Sequence, residues 1–269
     1  MSESSRHDSW QAGANYDAYM GRWSRRVAPR FLDWLEAPEG GDWLDVGCGT
    51  GSLSAAILGQ SAPRSVTGVD ASEGFVVHAA SKTDDPRVRF RRGDAQKLDV
   101  PAESFDAAVS GLVLNFVPDR SAMLREMARV VRPGGRLGFF VWDYPGGGVR
   151  FMREFWRAAS ALDPAAQDLT EDKRFPDCTE ARLRDLAVRV WGMEVESTAL
   201  VIDTRFADFT DYWTPFTLGA GPAPGYCAAL PPDRREALRR KLESDLPAEP
   251  DGGIALTARA WAVKAVKSS

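Results

Sequence analysis

Residues 43–53 read Trp-Leu-Asp-Val-Gly-Cys-Gly-Thr-Gly-Ser-Leu, and this run holds the residues best suited to ligand chemistry. Gly47, Gly49 and Gly51 stand at alternate positions, where they let the backbone turn sharply and let a ligand approach main-chain amides at a helix N-terminus. The spacing is GxGxG, not the GxGxxG of dinucleotide sites. Asp45 precedes the first glycine by two residues; a carboxylate there repels a pyrophosphate but suits an ammonium or sulfonium centre. Asp70 closes the segment Ser-Val-Thr-Gly-Val-Asp and lies 19 residues after Gly51, the position from which a carboxylate accepts both ribose hydroxyls. Asp94, in RRGDAQKLD, can accept from an exocyclic adenine amine. Together the three carboxylates describe an adenosine that carries an amino-acid tail and no phosphate.

The elements that must position these residues alternate. Trp43–Val46, Ser65–Val69, Arg87–Arg91, Phe105–Ser110 and Arg136–Trp142 read as short apolar strands. Leu53–Leu58, Glu73–Ser81 and Ser121–Val131 read as the helices between them. Such alternation predicts parallel βαβ units in an open α/β sheet with helices on both faces. Ligands of such sheets sit beyond the carboxyl ends of the strands, where the glycine loop falls. Upstream, residues 16–37 have helical spacing and stop at Pro38-Glu39-Gly40-Gly41, while residues 1–15 read as a flexible tail. After Trp142 the rhythm changes. A glycine-rich turn, Asp143–Gly148, leads to an aromatic helix over 149–162. Thr179–Val190 reads as a helix with Thr179 at its N-cap, and Val195–Asp203 as a strand. Phe206–Phe216 is aromatic, Gly219–Gly225 reads as a Gly/Pro loop, Pro231–Leu246 as a charged helix and Ile254–Val266 as a long last strand beside Val195–Asp203.

Asp45-Val-Gly-Cys-Gly-Thr-Gly51, Gly68-Val-Asp70, Gly93-Asp94-Ala95 and Arg132-Pro-Gly-Gly-Arg136 resemble, in order and spacing, the successive motifs of class I S-adenosylmethionine-dependent methyltransferases. The resemblance covers residues 16–142 and is nearest to the branch that includes the ubiquinone/menaquinone biosynthesis enzymes. It implies a Rossmann-like sheet of seven mostly parallel strands with an antiparallel last strand, and a helical cap inserted at about 143–180 and 206–250 of a single domain spanning 16–269. It implies S-adenosylmethionine as cofactor, S-adenosylhomocysteine as product and no metal. Carried over, Gly47, Cys48, Gly49 and Gly51 cradle the methionine tail and ribose, and Asp45 orients the tail. Asp70 holds the ribose hydroxyls, with Ala71 and Ser72 beside the ribose and adenine. Asp94 meets the adenine amine with the Ala95 amide alongside. Ser110 offers its carbonyl to the methionine ammonium, with Gly111 and Leu112 below the sulfur. Tyr16 and Arg22 correspond to lid residues, and the Arg22 guanidinium could pair with the cofactor carboxylate.

A catalytic base is harder to place. Displacement at a sulfonium methyl has an excellent leaving group, so positioning and exclusion of water can supply most of the rate. His7 lies in the tail and His78 in a core helix, neither at the end of a strand. Asn115 stands where relatives often carry a histidine, and is one candidate. Asp143, just after the fifth strand, is the other; it could take a proton or cap the following turn. Among the cap aromatics, Trp142, Tyr144, Phe151, Phe155 and Trp213 are candidates to line a pocket for a flat or apolar acceptor.

The 269 residues are 44% hydrophobic and 27% charged, with a net charge of −4. That balance fits one large globular domain and disfavours a general nucleic-acid binder, whose affinity comes from phosphate neutralisation. Cys48, Cys178 and Cys227 are odd in number and show no zinc spacing. No signal peptide or membrane span is expected, which predicts a cytoplasmic protein. The expected function is therefore methylation of a small molecule at oxygen, nitrogen or carbon, with no nucleic-acid or membrane partner and an open oligomeric state. RNA or protein methylation, and a cofactor-retaining cyclase-like or binding relative, are the alternatives.

Overall fold

The computed structural model describes residues 16–37, 39–219 and 221–268; the tail expected over 1–15 lies outside them. A short π-helical turn, Asp17–Gly21, runs into α1 (Arg22–Leu35). The core then alternates as β1 (Asp42–Val46), α2 (Ser52–Gln60), β2 (Ser65–Asp70), α3 (Glu73–Ala80), β3 (Val88–Arg92), β4 (Phe105–Gly111), α4 (Arg120–Val130) and β5 (Val131–Trp142). The second part comprises α5 (Arg150–Leu162), the single turn α6 (Glu171–Arg174), α7 (Glu180–Trp191), β6 (Val195–Phe206), α8 (Phe209–Trp213), α9 (Pro222–Ala229), α10 (Pro232–Asp245) and β7 (Ile254–Val266).

The strands form one seven-stranded sheet in the order β3-β2-β1-β4-β5-β7-β6. The pairs β1–β2, β1–β4, β2–β3 and β4–β5 are parallel, and β7 runs antiparallel to β5 with Trp142 opposite Ala260. The chain reverses direction across the sheet at β1, and the loop after β1 opens there, at the switch point where α/β sheets take their ligands.

Two compact units share the chain. One contains residues 23–37, 39–142, 177–200 and 260–268. Its core is set by close approaches: a Cβ on Gly138 would lie 2.8 Å from both Phe31 and Leu35, and Phe31 lies 4.8 Å from the Phe140 ring. The Trp191 indole donates to the Leu124 carbonyl at 2.9 Å, docking α7. The Thr179 hydroxyl accepts from the Arg182 amide as the N-cap of that helix. The other unit contains 16–22, 143–176 and 201–259, apart from the undescribed Ala220. Its core is aromatic. Phe155 stacks on Phe216 at 4.4 Å, Tyr19 meets Phe216 edge-on at 5.3 Å, and the Tyr212 hydroxyl donates to the Phe151 carbonyl at 2.8 Å.

Two elements differ from expectation. The Gly/Pro stretch 219–225 is not all loop: α9 begins at Pro222, with prolines in its first turn, where a missing N–H costs nothing. β5 starts at Val131 rather than Arg136, because Val131 pairs with Phe105 before the Pro133-Gly134 irregularity and Arg136 resumes opposite Ala107.

Candidate active site

The glycine loop is folded by its own amides. Gly47 and Cys48 both donate to the Val69 carbonyl, at 2.7 and 3.0 Å, and Gly51 donates to Cys48 at 2.9 Å. Gly47, Gly49 and Gly51 all have positive φ (75°, 52° and 84°), a region costly for any residue with a Cβ. The three are not equivalent. A Cβ at Gly47 would lie 2.4 Å from a Val113 methyl, whereas at Gly49 it would meet nothing within 4 Å. Gly47 is thus needed by the protein's own packing, while the free space at Gly49 leaves its backbone open to a ligand.

Asp45 is fully buried. One oxygen accepts from the Ser54 hydroxyl in the first turn of α2 at 2.7 Å; the other, Oδ1, has no protein partner. Burial pushes this carboxyl up to about 7, with the Ser54 bond opposing and the nearby Asp70 charge adding to the shift. An orphaned carboxylate oxygen in a buried loop is expensive to maintain, and an ammonium or sulfonium group would satisfy it. Asp70 is held from both sides: one oxygen accepts from the Gly49 amide and the other from the Ser72 amide, each at 2.9 Å. Burial raises its carboxyl, and those two amides counter the rise. Asp70 therefore couples the shape of the glycine loop to the start of α3, whose N-cap is Ser72. Cys48 is buried, and burial beside Asp45 and Asp70 holds its thiol well above the usual range, so it is a small packing residue and no nucleophile.

Ser110, next to last in β4, donates its hydroxyl to the Val46 carbonyl at 2.7 Å, and the last residue, Gly111, faces the Phe140 ring, which a Cβ would reach at 2.8 Å. Leu112 follows with φ +64°, a strained left-handed leucine pinned by its amide to the Phe140 carbonyl at 2.7 Å. Such strain persists only where the surroundings over-determine it and clusters at binding sites. Asn115, in a 3₁₀ turn, is buried with its amide nitrogen unpartnered. Asp94 is exposed, and its Oδ1 accepts from both the amide and the side chain of Gln96, at 2.9 and 3.0 Å. Gln96 in turn accepts from the Asp119 amide at 2.9 Å, tying this loop to the cap of α4. Ala71 is exposed and Ala95 half-buried. All of these residues belong to the sheet-bearing unit; Tyr16 and Arg22 belong to the other.

Three expectations change with the geometry. Arg22 forks onto Asp211, at 2.7 and 3.0 Å, with its guanidinium 5.3 Å from the Phe206 ring centroid. That pairing holds the Asp211 carboxyl below its usual range. The bidentate capacity expected to meet a cofactor carboxylate is thus engaged within its own unit. Asp143 is buried, accepts from Arg259 Nε at 2.8 Å and again from that guanidinium, and takes the Gly146 amide at 2.9 Å. It anchors the glycine-rich turn, the second of its two expected roles. Phe151 and Phe155, 1% and 0% exposed, are interior packing of the aromatic unit, and Trp213 stacks on Phe209. Trp142 is buried with its indole nitrogen unpartnered. Tyr144 lines a cavity of about 550 Å³ together with Met152, Trp156 and Glu171. Ser54, Gln96 and Glu171 were not anticipated. Ser54 carries a weak signal, a hydroxyl one helical turn beyond the loop; Glu171 carries none, because only the fold buries it.

Residues 44–139 match the family described as "Methyltransferase domain". The chain is 28% identical to nocamycin O-methyltransferase of Saccharothrix syringae, over 88% of this chain and 89% of that one. It is 40% identical to 27-O-demethylrifamycin SV methyltransferase of Amycolatopsis mediterranei, over 42% of each; it thus spans less than half of that relative's length. Its fold is shared with the YcgJ protein of Bacillus subtilis, at a TM-score of 0.59 and 17% identity over 91% of this chain and 99% of that one. The match to the methyltransferase domain runs from β1 to within β5, the stretch that holds the glycine loop, and supports the class I S-adenosylmethionine-dependent methyltransferase resemblance there.

Proposed function

We propose that this protein transfers the methyl group of S-adenosylmethionine to a small molecule. The observation that carries the reading is the buried Asp45 oxygen without a partner, set in a loop whose Gly49 backbone is unobstructed. These residues fit the cofactor. Asp45 would accept from its ammonium, Asp70 from the ribose hydroxyls, and the amides of the Gly47–Gly51 loop would line the tail. When bound, the cofactor supplies a methyl on a sulfonium, a carbon ready for in-line displacement.

The chain's own contribution is then to position and to dry the site. Asp143 is committed to Arg259 and the turn, so it is not the proton acceptor. Asn115 is neutral and can hold an acceptor by hydrogen bonding but cannot deprotonate it. A small-molecule acceptor is supported by the small-molecule acceptors in the names of the two relatives. The net charge of −4 gives no support to an RNA substrate.

Calorimetry with S-adenosylmethionine and S-adenosylhomocysteine tests the cofactor assignment, and mass spectrometry of a metabolite panel incubated with protein and cofactor tests transfer. Saturable binding of both and a one-methyl mass gain on a small molecule are expected. Binding of neither ligand would overturn the proposal.

A further inference from the structure

In the aromatic unit, Tyr144, Met152 and Trp156 form an apolar wall of the cavity of about 550 Å³, with Arg153 and Lys173 among its charged lining. Volumes of this size hold a metabolite-sized ligand. One lining residue is chemically out of place. Glu171 is only 4% exposed. One of its oxygens accepts from the Trp156 indole, and the other, Oε1, has no protein partner. A carboxyl taken out of water with one oxygen unmet is a standing cost. An indole alone requires only one acceptor, which a backbone carbonyl or a glutamine would supply. The residue is held in place on both sides: α6 starts at Glu171, and Trp156 lies in α5 within the aromatic cluster of Phe155 and Tyr226. Glu171 is therefore a fixed residue of the cavity lining and not a mobile surface group.

We infer that this cavity is a ligand site, that it takes a flat, largely apolar molecule bearing a hydroxyl, and that Glu171 recognises that hydroxyl as a hydrogen-bond acceptor. The inference goes beyond the methyltransferase reading and stands or falls separately from it. Apolar walls give affinity without direction, and one buried polar group fixes which edge of the ligand enters. A site built to hydrogen-bond a hydroxyl rejects the analogue that lacks it, because the buried acceptor is then left unpaired. The methyl ether of a hydroxyl ligand is such an analogue.

The test uses the full-length protein at pH 8, where Glu171 is ionised, with 2-naphthol as a flat hydroxyl probe and 2-methoxynaphthalene as its donor-free counterpart, and binding read by quenching of tryptophan fluorescence. The expected result is saturable naphthol binding with a preference of about tenfold or more over the ether, the worth of one hydrogen bond to a buried carboxylate. Glu171→Leu should bring that preference to about one, and Glu171→Gln should retain most of it through its amide oxygen. S-adenosylhomocysteine affinity, measured in parallel, should be unchanged in both variants, which also shows that they fold. Equal binding of naphthol and ether, no saturable naphthol binding, or a preference that survives Glu171→Leu would overturn the inference. Loss of S-adenosylhomocysteine binding in the wild type would instead overturn the methyltransferase reading and leave the pocket result to be judged alone.

Discussion

Two carboxylates beside the same glycine loop do different work. Asp70 is anchored by one amide on each oxygen, from Gly49 and Ser72, so its removal costs both the ribose contacts and the loop's shape. Asp70→Ala should weaken S-adenosylhomocysteine by about tenfold to a hundredfold, the loss of one or two hydrogen bonds to a charged group, measurable by calorimetry. Asp45 instead keeps an oxygen in reserve, and its carboxyl lies at about 7. Only the ionised form attracts an ammonium, so affinity should rise with pH below about 7 by up to tenfold per unit and level off above it. Binding should release a fraction of a proton near pH 7, seen as a dependence of the calorimetric heat on buffer ionisation. Asp45→Asn should remove both the slope and the proton release; a slope that persists in that variant would show that another group is titrating.

Elements explain why neighbouring glycines should respond differently to the same substitution. Gly47→Ala forces a Cβ to 2.4 Å from Val113 at φ +75° and should destabilise the fold by about 2–4 kcal/mol through overpacking and left-handed strain. Gly49→Ala meets only open space at φ +52°, so it should cost about 1 kcal/mol of stability while lowering S-adenosylhomocysteine affinity about tenfold or more. Melting temperature and calorimetry on the two variants separate a packing glycine from a ligand glycine. Arg22→Ala should likewise act on stability more than on binding, because its fork is spent on Asp211. With both side chains about a third exposed, a double-mutant cycle should return about 1 kcal/mol, and a large drop in cofactor affinity would restore the lid role. The sheet, the glycine loop and Asp70 could be read from the sequence because each is written in local pattern: apolar runs, alternate glycines, a carboxylate closing a strand. Glu171, the left-handed Leu112 and the Arg22–Asp211 pair could not, since each is made by segments far apart in the chain or by backbone strain that no residue type announces. The helix at Pro222 was hidden by its own Gly/Pro composition.

Among the described residues three acids are buried, Asp45, Asp143 and Glu171; Asp45 in one compact unit and Glu171 in the other are pushed up to about 7 by desolvation. Their unfolded values are near 4, so between roughly pH 4 and 7 the folded state holds protons that the unfolded chain has released. Stability must fall as pH rises through that window. The effect is present in full below about pH 4 and lost above about 7, amounting to as much as about 4 kcal/mol for each group. Asp70, also raised by burial, acts in the same direction. Asp42, Asp85, Asp106, Glu126 and Asp211 are lowered and act oppositely, in a window below about pH 4. The ligand-free protein should therefore be most stable on the mildly acidic side of neutrality, with a lower denaturation midpoint at pH 8 than at pH 5.5. Asp45→Asn and Glu171→Gln should each flatten that decline. Saturating S-adenosylhomocysteine should rescue the loss at pH 8 more than at pH 5.5 in the wild type and in Glu171→Gln, but equally at both pH values in Asp45→Asn. Denaturant titrations at the two pH values, with and without ligand, decide it: a wild-type midpoint that rises from pH 5.5 to pH 8 would mean that neither acid is held protonated in the folded protein.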